Sequence, residues 1–254
     1  MVPSIIFIIP YRDRIQHKTF FEIYMKHLME DYDENSYEIY FSHQCDKRKF
    51  NRGAMKNIGF LAMKEKYKND YKNITFIFND VDTLPYKKNL LNYETKKGII
   101  KHFYGYPFSL GGIFSIKGED FESINGFPNY WAWGMEDNVI QDRAIKKNIK
   151  IDRSHFYKIG DPNILQFFDG LKRLISKEQA LRMRNDHVYS NKDGINAISD
   201  LKTEITNEYI NAKQFKTLYE DNEDTYNIYD IRNGTHVDFT TRVKPQRSFN
   251  MNLS

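Results

Sequence analysis

The sequence predicts an α/β fold built on a Rossmann-like, doubly wound, mostly parallel sheet. Residues 4–9 (SIIFII) form an unbroken apolar run closed by Pro10, the pattern of a strand buried on both faces. Residues 74–78 (ITFIF) repeat it. Between the two, strand-like and helix-like periodicities alternate in the order strand, helix, strand, helix, strand, which parallel sheets with crossover helices require.

Each element has its own signal. Residues 17–32 place Phe20, Phe21, Tyr24 and Leu28 about one turn apart, a helix spacing. Residues 37–44 (YEIYFSHQ) alternate as a strand. Residues 51–69 predict a second helix, with Ala54, Ile58, Leu61 and Ala62 on one face, and residues 74–80 a third strand. Further on, Ile113–Ile116 reads as a short strand and Asp120–Ile124 as a helical turn ended by Gly126-Phe127-Pro128. A helix over 137–147 is expected to turn Ile140, Ala144 and Ile145 inward. From about 210 the chain becomes polar and rich in Asn, Asp and Thr. The expected organisation is one domain over 1–209 and a peripheral appendage over 210–254, with short strands around TYNIYDIR.

Composition narrows the function. With 40% hydrophobic and 15% aromatic residues in 254, a sizeable core is available and global disorder is excluded. The net charge of +4 is spread along the chain, without the dense basic stripe that nucleic-acid binding needs, though it favours a phosphate-bearing small substrate. A single cysteine, Cys45, permits no intrachain disulfide. The apolar run at the N-terminus is far shorter than the ~20 residues that span a bilayer. No other segment reaches that length, so the expectation is a soluble, cytoplasmic chain with no membrane span.

Ligands of doubly wound sheets sit beyond the carboxyl ends of the strands. Two polar clusters fall there: Pro10-Tyr11-Arg12-Asp13-Arg14 and Asp80-Val81-Asp82. Paired carboxylates after a buried strand suit a hard divalent cation, one aspartate taking the metal and the other orienting a sugar or water. The same residues also suit a turn in which Asp80 caps and Pro85 closes. The planar forks of Arg12 and Arg14 suit diphosphate oxygens, and Arg52, after Phe50-Asn51, can join them; surface ion pairing is the competing account. Gly111-Gly112 allows close approach of a ligand. Trp131 and Trp133, the two tryptophans of the chain, precede Glu136-Asp137 at a helix start. Indole faces stack on sugars, and a carboxylate near an attacking hydroxyl can serve as general base. A helix cap beside two core tryptophans is the alternative.

Taken in order, IIPYRDR, FNRGAMKNIGF, FNDVDTLP, GGIFSIKGEDFESINGFPNYWAWGMEDN and DGINAISDL (193–201) resemble the β-1,4-galactosyltransferase family. The likeness covers about residues 4–203. It implies a GT-A fold, with 1–209 as a single catalytic domain, and inverting transfer from a UDP-sugar, usually with Mn²⁺, to a glycan or glycoconjugate acceptor. It places Pro10, Arg12, Arg14, Phe50 and Arg52 at the uridine and diphosphate. It further implies that Asp80 contacts the donor, Asp82 binds the metal and Trp133 closes over the donor. Glu136 and Asp137, with Trp131 and Trp133, would bind the acceptor, and Asp137 would deprotonate its hydroxyl.

The sequence departs from the family pattern at several positions. Asn163 and Gln166 stand where the family carries a Met and a His as metal ligands; the histidines on either side are His155 and His187. Met135 replaces the second Gly before Glu-Asp, and Asn138 the next acidic residue. Ser109 stands at the donor-selective Tyr position and leaves room for an N-acetyl group, so N-acetylgalactosamine joins galactose as an expected donor sugar. A catalytically weak carbohydrate-binding module on the same fold is the alternative function. A phosphohydrolase built on Asp80 and Asp82 would need a second carboxylate cluster that the sequence does not display.

Overall fold

The computed structural model describes residues 1–176, 178–179, 181–183, 192–221, 226–230 and 232. The chain begins β1 (Ile5–Tyr11), α1 (Ile15–Leu28), β2 (Tyr37–Gln44), α2 (Arg52–Lys66), β3 (Thr75–Asn79) and β4 (Thr83–Pro85). It continues through β5 (Ile99–Gly105), β6 (Ile113–Lys117), α3 (Gly118–Ser123) and α4 (Glu136–Lys146). The short strands β7 (Lys150–Asp152), β8 (Tyr157–Lys158) and β9 (Ile164–Gln166) follow, then β10 (Lys172–Ser176), β11 (Ser199–Thr206), β12 (Tyr209–Lys216) and β13 (Tyr226–Asp230).

The main sheet runs β11-β12-β2-β1-β3-β6-β5-β7, with β8 also on β5. The run β12-β2-β1-β3 is parallel, with β11 antiparallel to β12 at the edge. β6 runs antiparallel to β3 and β5, so the right half is mixed. All of β1 is buried, as the apolar run requires. Ile6 and Ile8 face α2, in a cluster with Met55, Ile58, Phe60 and Phe78. Ile5, Phe7 and Ile9 face α1, with Phe21, Met25 and Leu28. Helices thus cover both faces, the doubly wound arrangement.

The connections leave β1 in opposite directions, β2 on one side and β3 on the other. The switch point lies at the carboxyl ends of β1 and β3, where Pro10 and Asp80 emerge side by side just past the register pair Ile8–Phe78.

Two expectations change. The boundary at 209/210 falls between the first two residues of β12, and 210–216 belong to the main sheet, with Ile210, Ala212 and Phe215 in the core. The strand reads as polar because Asn211, Lys213, Gln214 and Lys216 separate its buried residues. Of the stretch beyond, Tyr226–Asp230 pairs with β10, whereas 233–254 lie outside the described residues. Ile145 is exposed; the inward face of α4 is Val139, Ile140, Arg143 and Ala144, with Arg143 held by the Gly126 carbonyl at 2.8 Å. Among the described residues, no helix is long and apolar enough to cross a membrane.

Candidate active site

A cavity at the switch point is lined by Pro10, Arg12, Arg14, Phe50, Arg52, Asp80, Val81, Asp82 and Asp169. Seven of these nine are residues the sequence singled out. Arg12 and Arg14 sit in the turn between β1 and α1, and Arg12 lies over the Phe50 ring at 5.3 Å. Arg12 also donates to the Arg48 carbonyl. Phe50 and Arg52 arrive through the N-terminus of α2, whose cap is Asn51: its side chain accepts from the Ala54 amide at 2.8 Å. The same side chain donates to the Asn129 carbonyl at 3.0 Å, which ties α2 to the segment leading into α4.

The carboxylates form two groups joined by α2. Asp80 follows β3, and its amide donates to the Gly112 carbonyl at 3.1 Å. Asp82 lies two residues on, and its carbonyl accepts from the Phe167 amide at 2.8 Å. Glu136 and Asp137 open α4, where the helix dipole favours negative charge. Arg52 Nη1 lies 2.7 Å from Glu136 Oε1, and Lys56 Nζ lies 3.3 Å from Asp137 Oδ1 and 3.5 Å from Asp80 Oδ1. The spacing of Arg52 and Lys56 puts both on one face of α2, one turn apart.

The turn between β5 and β6 completes the link. Leu110 donates its amide to the Asp137 carbonyl at 2.8 Å. A Cβ at Gly111 would stand 2.7 Å from Asp137 Oδ2, so the carboxylate occupies space that only glycine leaves. Gly112 has φ of +69°, and a Cβ there would meet the Tyr104 carbonyl at 2.4 Å. Its role is therefore to shape the turn that spans from Asp80 to Asp137. Ser109 is buried in the same turn.

Burial and charge crowding act together on the carboxylates of the site. Burial pushes the Asp82 carboxyl up to about 7, with Asp80 and Asp169 adding to the rise and Arg52 and Arg14 opposing it. Burial likewise raises Asp137 to about 7, against the pull of Lys56, with Glu136 and Asp80 reinforcing the rise. Burial opposes the charge on Lys56 and on Arg52, yet the surrounding carboxylates raise both. Asp137 still keeps 24% of its side-chain surface exposed, enough for a ligand to reach it.

Other sequence candidates fall elsewhere. Trp131 is 1% exposed, stacked on Phe215 of β12 at 5.8 Å, with its indole N–H donated to the Tyr219 carbonyl at 2.8 Å. It is a core residue, and its expected contact with an acceptor is corrected: no ring face is left for a sugar. Trp133 is 42% exposed and stands outside the cavity lining. The Asn163 side chain bonds Asp161 in its own turn at 2.9 Å, and Gln166 Oε1 accepts from Tyr104 Oη at 2.6 Å. Neither lines the cavity. His155 is exposed beside Ser154, and His187 lies outside the described residues. Met135 adopts φ of +76°, a left-handed conformation suited to the glycine of the family block. The Asn-Gly-Phe-Pro-Asn stretch proves structural: Asn129 donates to the fully buried Asp193 at 2.8 and 3.0 Å, which explains the pairing of this stretch with DGINAISDL.

Two site residues escaped the sequence reading. Lys56 lies one helical turn from Arg52, but a lysine within a helix reads as solvent-facing. Asp169 carried no signal; the pairing of β9 with β4 brings its loop to Asp82, and there it meets Arg14 at 3.2 Å. Among the described residues, no group of three or more His, Cys, Asp or Glu side chains stands ready to hold a metal ion.

Comparison with known proteins agrees with the fold. Residues 2–94 match the N-terminal region of glycosyl transferase group 7, and residues 100–166 match the N-terminal domain of galactosyltransferase. Bos taurus β-1,4-galactosyltransferase 1 is 29% identical over 207 residues, covering 78% of this chain and 50% of the relative. The Caenorhabditis elegans xylosylprotein 4-β-galactosyltransferase is 26% identical over 208 residues, covering 77% and 69%. The chain thus spans about half the length of the first of these relatives. A Drosophila β-1,4-galactosyltransferase 7 mutant, solved with manganese, UDP-Gal and xylobiose, superposes with a TM-score of 0.65 at 19% identity, covering 86% of this chain and 96% of that one. That likeness establishes the GT-A fold. By its ordered motifs, fold and matched regions, the chain belongs to the β-1,4-galactosyltransferase family.

Proposed function

We propose that this chain transfers galactose from UDP-galactose to a sugar hydroxyl of a glycan acceptor, inverting the anomeric centre, with Asp137 as general base. One observation carries the reading: the arginine-lined cavity at the switch point is joined through Asp80, the Gly111-Gly112 turn and Lys56 to a carboxylate that stays accessible. The relatives support the choice of donor. The Drosophila neighbour was solved with UDP-Gal and xylobiose, and the Caenorhabditis relative is named for transfer to xylosylprotein.

In this reading the diphosphate lies against Arg12 and Arg14, with the uridine against Phe50 and Pro10. Asp80 orients the donor sugar. Asp137 accepts the proton of the acceptor hydroxyl as its oxygen bonds to the anomeric carbon. The bond to UDP breaks on the opposite face, and its electron pair leaves with the diphosphate. The arginines stabilise that charge, the largest electrostatic demand of the step. In the same reading Trp133, exposed on the loop before α4, folds over the occupied site.

The donor set suits a hard divalent cation such as Mn²⁺ in an open site. Asp80, Asp82 and Asp169 all line the cavity and offer carboxylate oxygens, the ligand type such an ion prefers. Asp82 would hold the ion, with Asp169 of the same lining in place of Asn163 and Gln166. When bound, the ion neutralises charge on the departing diphosphate. Thermal shift with UDP-galactose, UDP-N-acetylgalactosamine and UDP-glucose, each with and without Mn²⁺, followed by UDP release on glycan acceptors, tests the proposal. Stabilisation by UDP-galactose that depends on Mn²⁺, with UDP release on an acceptor, supports it. Glycan binding without UDP-sugar binding or turnover contradicts it.

A further inference from the structure

We infer that Lys56 is a positioning residue that clamps the donor-side carboxylate Asp80 to Asp137 and favours the ionised form of Asp137 for proton transfer. The kinetic consequence rests on the general-base reading of Asp137; the clamp itself does not. Lys56 is 1% exposed, and its ammonium lies 3.3 Å from Asp137 Oδ1, 3.5 Å from Asp80 Oδ1 and 4.7 Å from the centre of the Phe127 ring. Burying a lysine this deeply is strongly unfavourable unless its charge is met. Here two carboxylates and an aromatic face meet it.

The dependence runs both ways. Asp80 Oδ1 is buried and makes no hydrogen bond, so it relies on nearby positive charge. Asp137 faces Lys56 and Arg52 from α2, Glu136 from its own helix and Asp80 from the end of β3. Gly111, packed against it from the β5–β6 turn, contributes no side chain. Arg52 is committed to Glu136 at 2.7 Å. Among the described residues Lys56 is therefore the cation in contact with Asp137, and without it Asp137 would sit among carboxylates and take up a proton at higher pH. A protonated Asp137 cannot accept the hydroxyl proton. One ammonium shared between donor and acceptor sides also fixes the separation of the two carboxylates.

The test is a carboxyl ¹³C NMR titration of the full chain, with Asp137 assigned by the signal lost in Asp137→Asn. In Lys56→Met the Asp137 midpoint should rise by about one unit or more, and the acid limb of kcat should move by the same amount. Lys56→Arg should bring both back toward the unmutated values. If Lys56→Met fails to fold, Lys56→Gln carries the same expectation. If neither folds, the ¹⁵Nζ signal of Lys56 in the unmutated chain decides: it should be that of an ammonium at pH 9 and respond as Asp137 titrates. An unmoved Asp137 midpoint in a folded variant, or a neutral or unresponsive Lys56, overturns the clamp. If the midpoint moves but Asp137→Asn still transfers sugar, the base reading falls and the clamp stands. If Asp137→Asn is inactive and the midpoint is unmoved, the clamp alone falls.

Discussion

Arg52 Nη1 and Glu136 Oε1 lie 2.7 Å apart, joining the first residue of α2 to the first residue of α4. Glu136 keeps only 4% of its side-chain surface exposed and Arg52 21%, so the pair is largely desolvated. Arg52 lines the cavity, and through this contact the N-terminus of α4 is held against that of α2.

Removing one partner leaves the other charge stranded, which for buried pairs costs about 3–5 kcal/mol. Arg52→Met should therefore lower stability by about that amount in urea unfolding. The double variant Arg52→Met with Glu136→Gln should recover most of the loss. Additive losses would show that the contact does not couple the helices.

The two tryptophans should separate cleanly. Trp131→Ala empties a core position stacked on Phe215 and should cost about 3–5 kcal/mol. Trp133→Ala, at an exposed site, should leave the melting temperature nearly unchanged while weakening UDP-sugar binding or transfer. Calorimetry and a transfer assay on both variants check this; a strongly destabilised Trp133→Ala would remove its assignment to the donor.

Stability should carry the mark of the crowded carboxylates. The folded-state pKa values of Asp82 and Asp137, near 7, stand above the ordinary aspartate value of 3.8. Between those limits the folded chain binds more protons than the unfolded one, so their contribution is fully present below about pH 4 and is lost as pH rises through 7. Asp82→Asn should raise the melting temperature at pH 7.5 in the absence of divalent metal and leave it nearly unchanged at pH 4. Melting curves across that range decide it; an equal shift at both pH values would mean that Asp82 is not destabilised by its neighbours.

The same crowding predicts the metal's effect on binding. Asp82→Asn should abolish the Mn²⁺ dependence of UDP affinity, whereas Asn163→Ala and Gln166→Ala should retain it, because their side chains are engaged with Asp161 and Tyr104. Calorimetric titration of UDP with and without Mn²⁺ reads this directly. Unchanged Mn²⁺ dependence in Asp82→Asn would exclude it as the ligand.

How much of this was legible in the sequence depended on distance along the chain. The order β1–α1–β2–α2–β3 was readable because each element carries its own period, and the site residues at the strand ends followed from it. Trp131 and Trp133 look alike in sequence; Phe215, 84 residues beyond Trp131, decides which one is core. β12 was hidden because its buried residues alternate with Asn, Lys and Gln. Asp169 reaches the cavity only because β9 pairs with β4, a contact that no local pattern encodes. Lys56 was overlooked because a lysine within a helix ordinarily faces solvent, and only the carboxylates arriving from β3 and α4 give it a buried role.

The central claim is inverting transfer with Asp137 as base, and the most direct measurement is proton NMR of the product formed from UDP-galactose and a glycan acceptor. The unmutated chain should give a β-linked galactoside together with UDP. Asp137→Asn should lower that rate by roughly 10²–10⁴-fold with UDP binding intact. An α-linked product, or an Asp137→Asn variant as fast as the unmutated chain, would contradict the account.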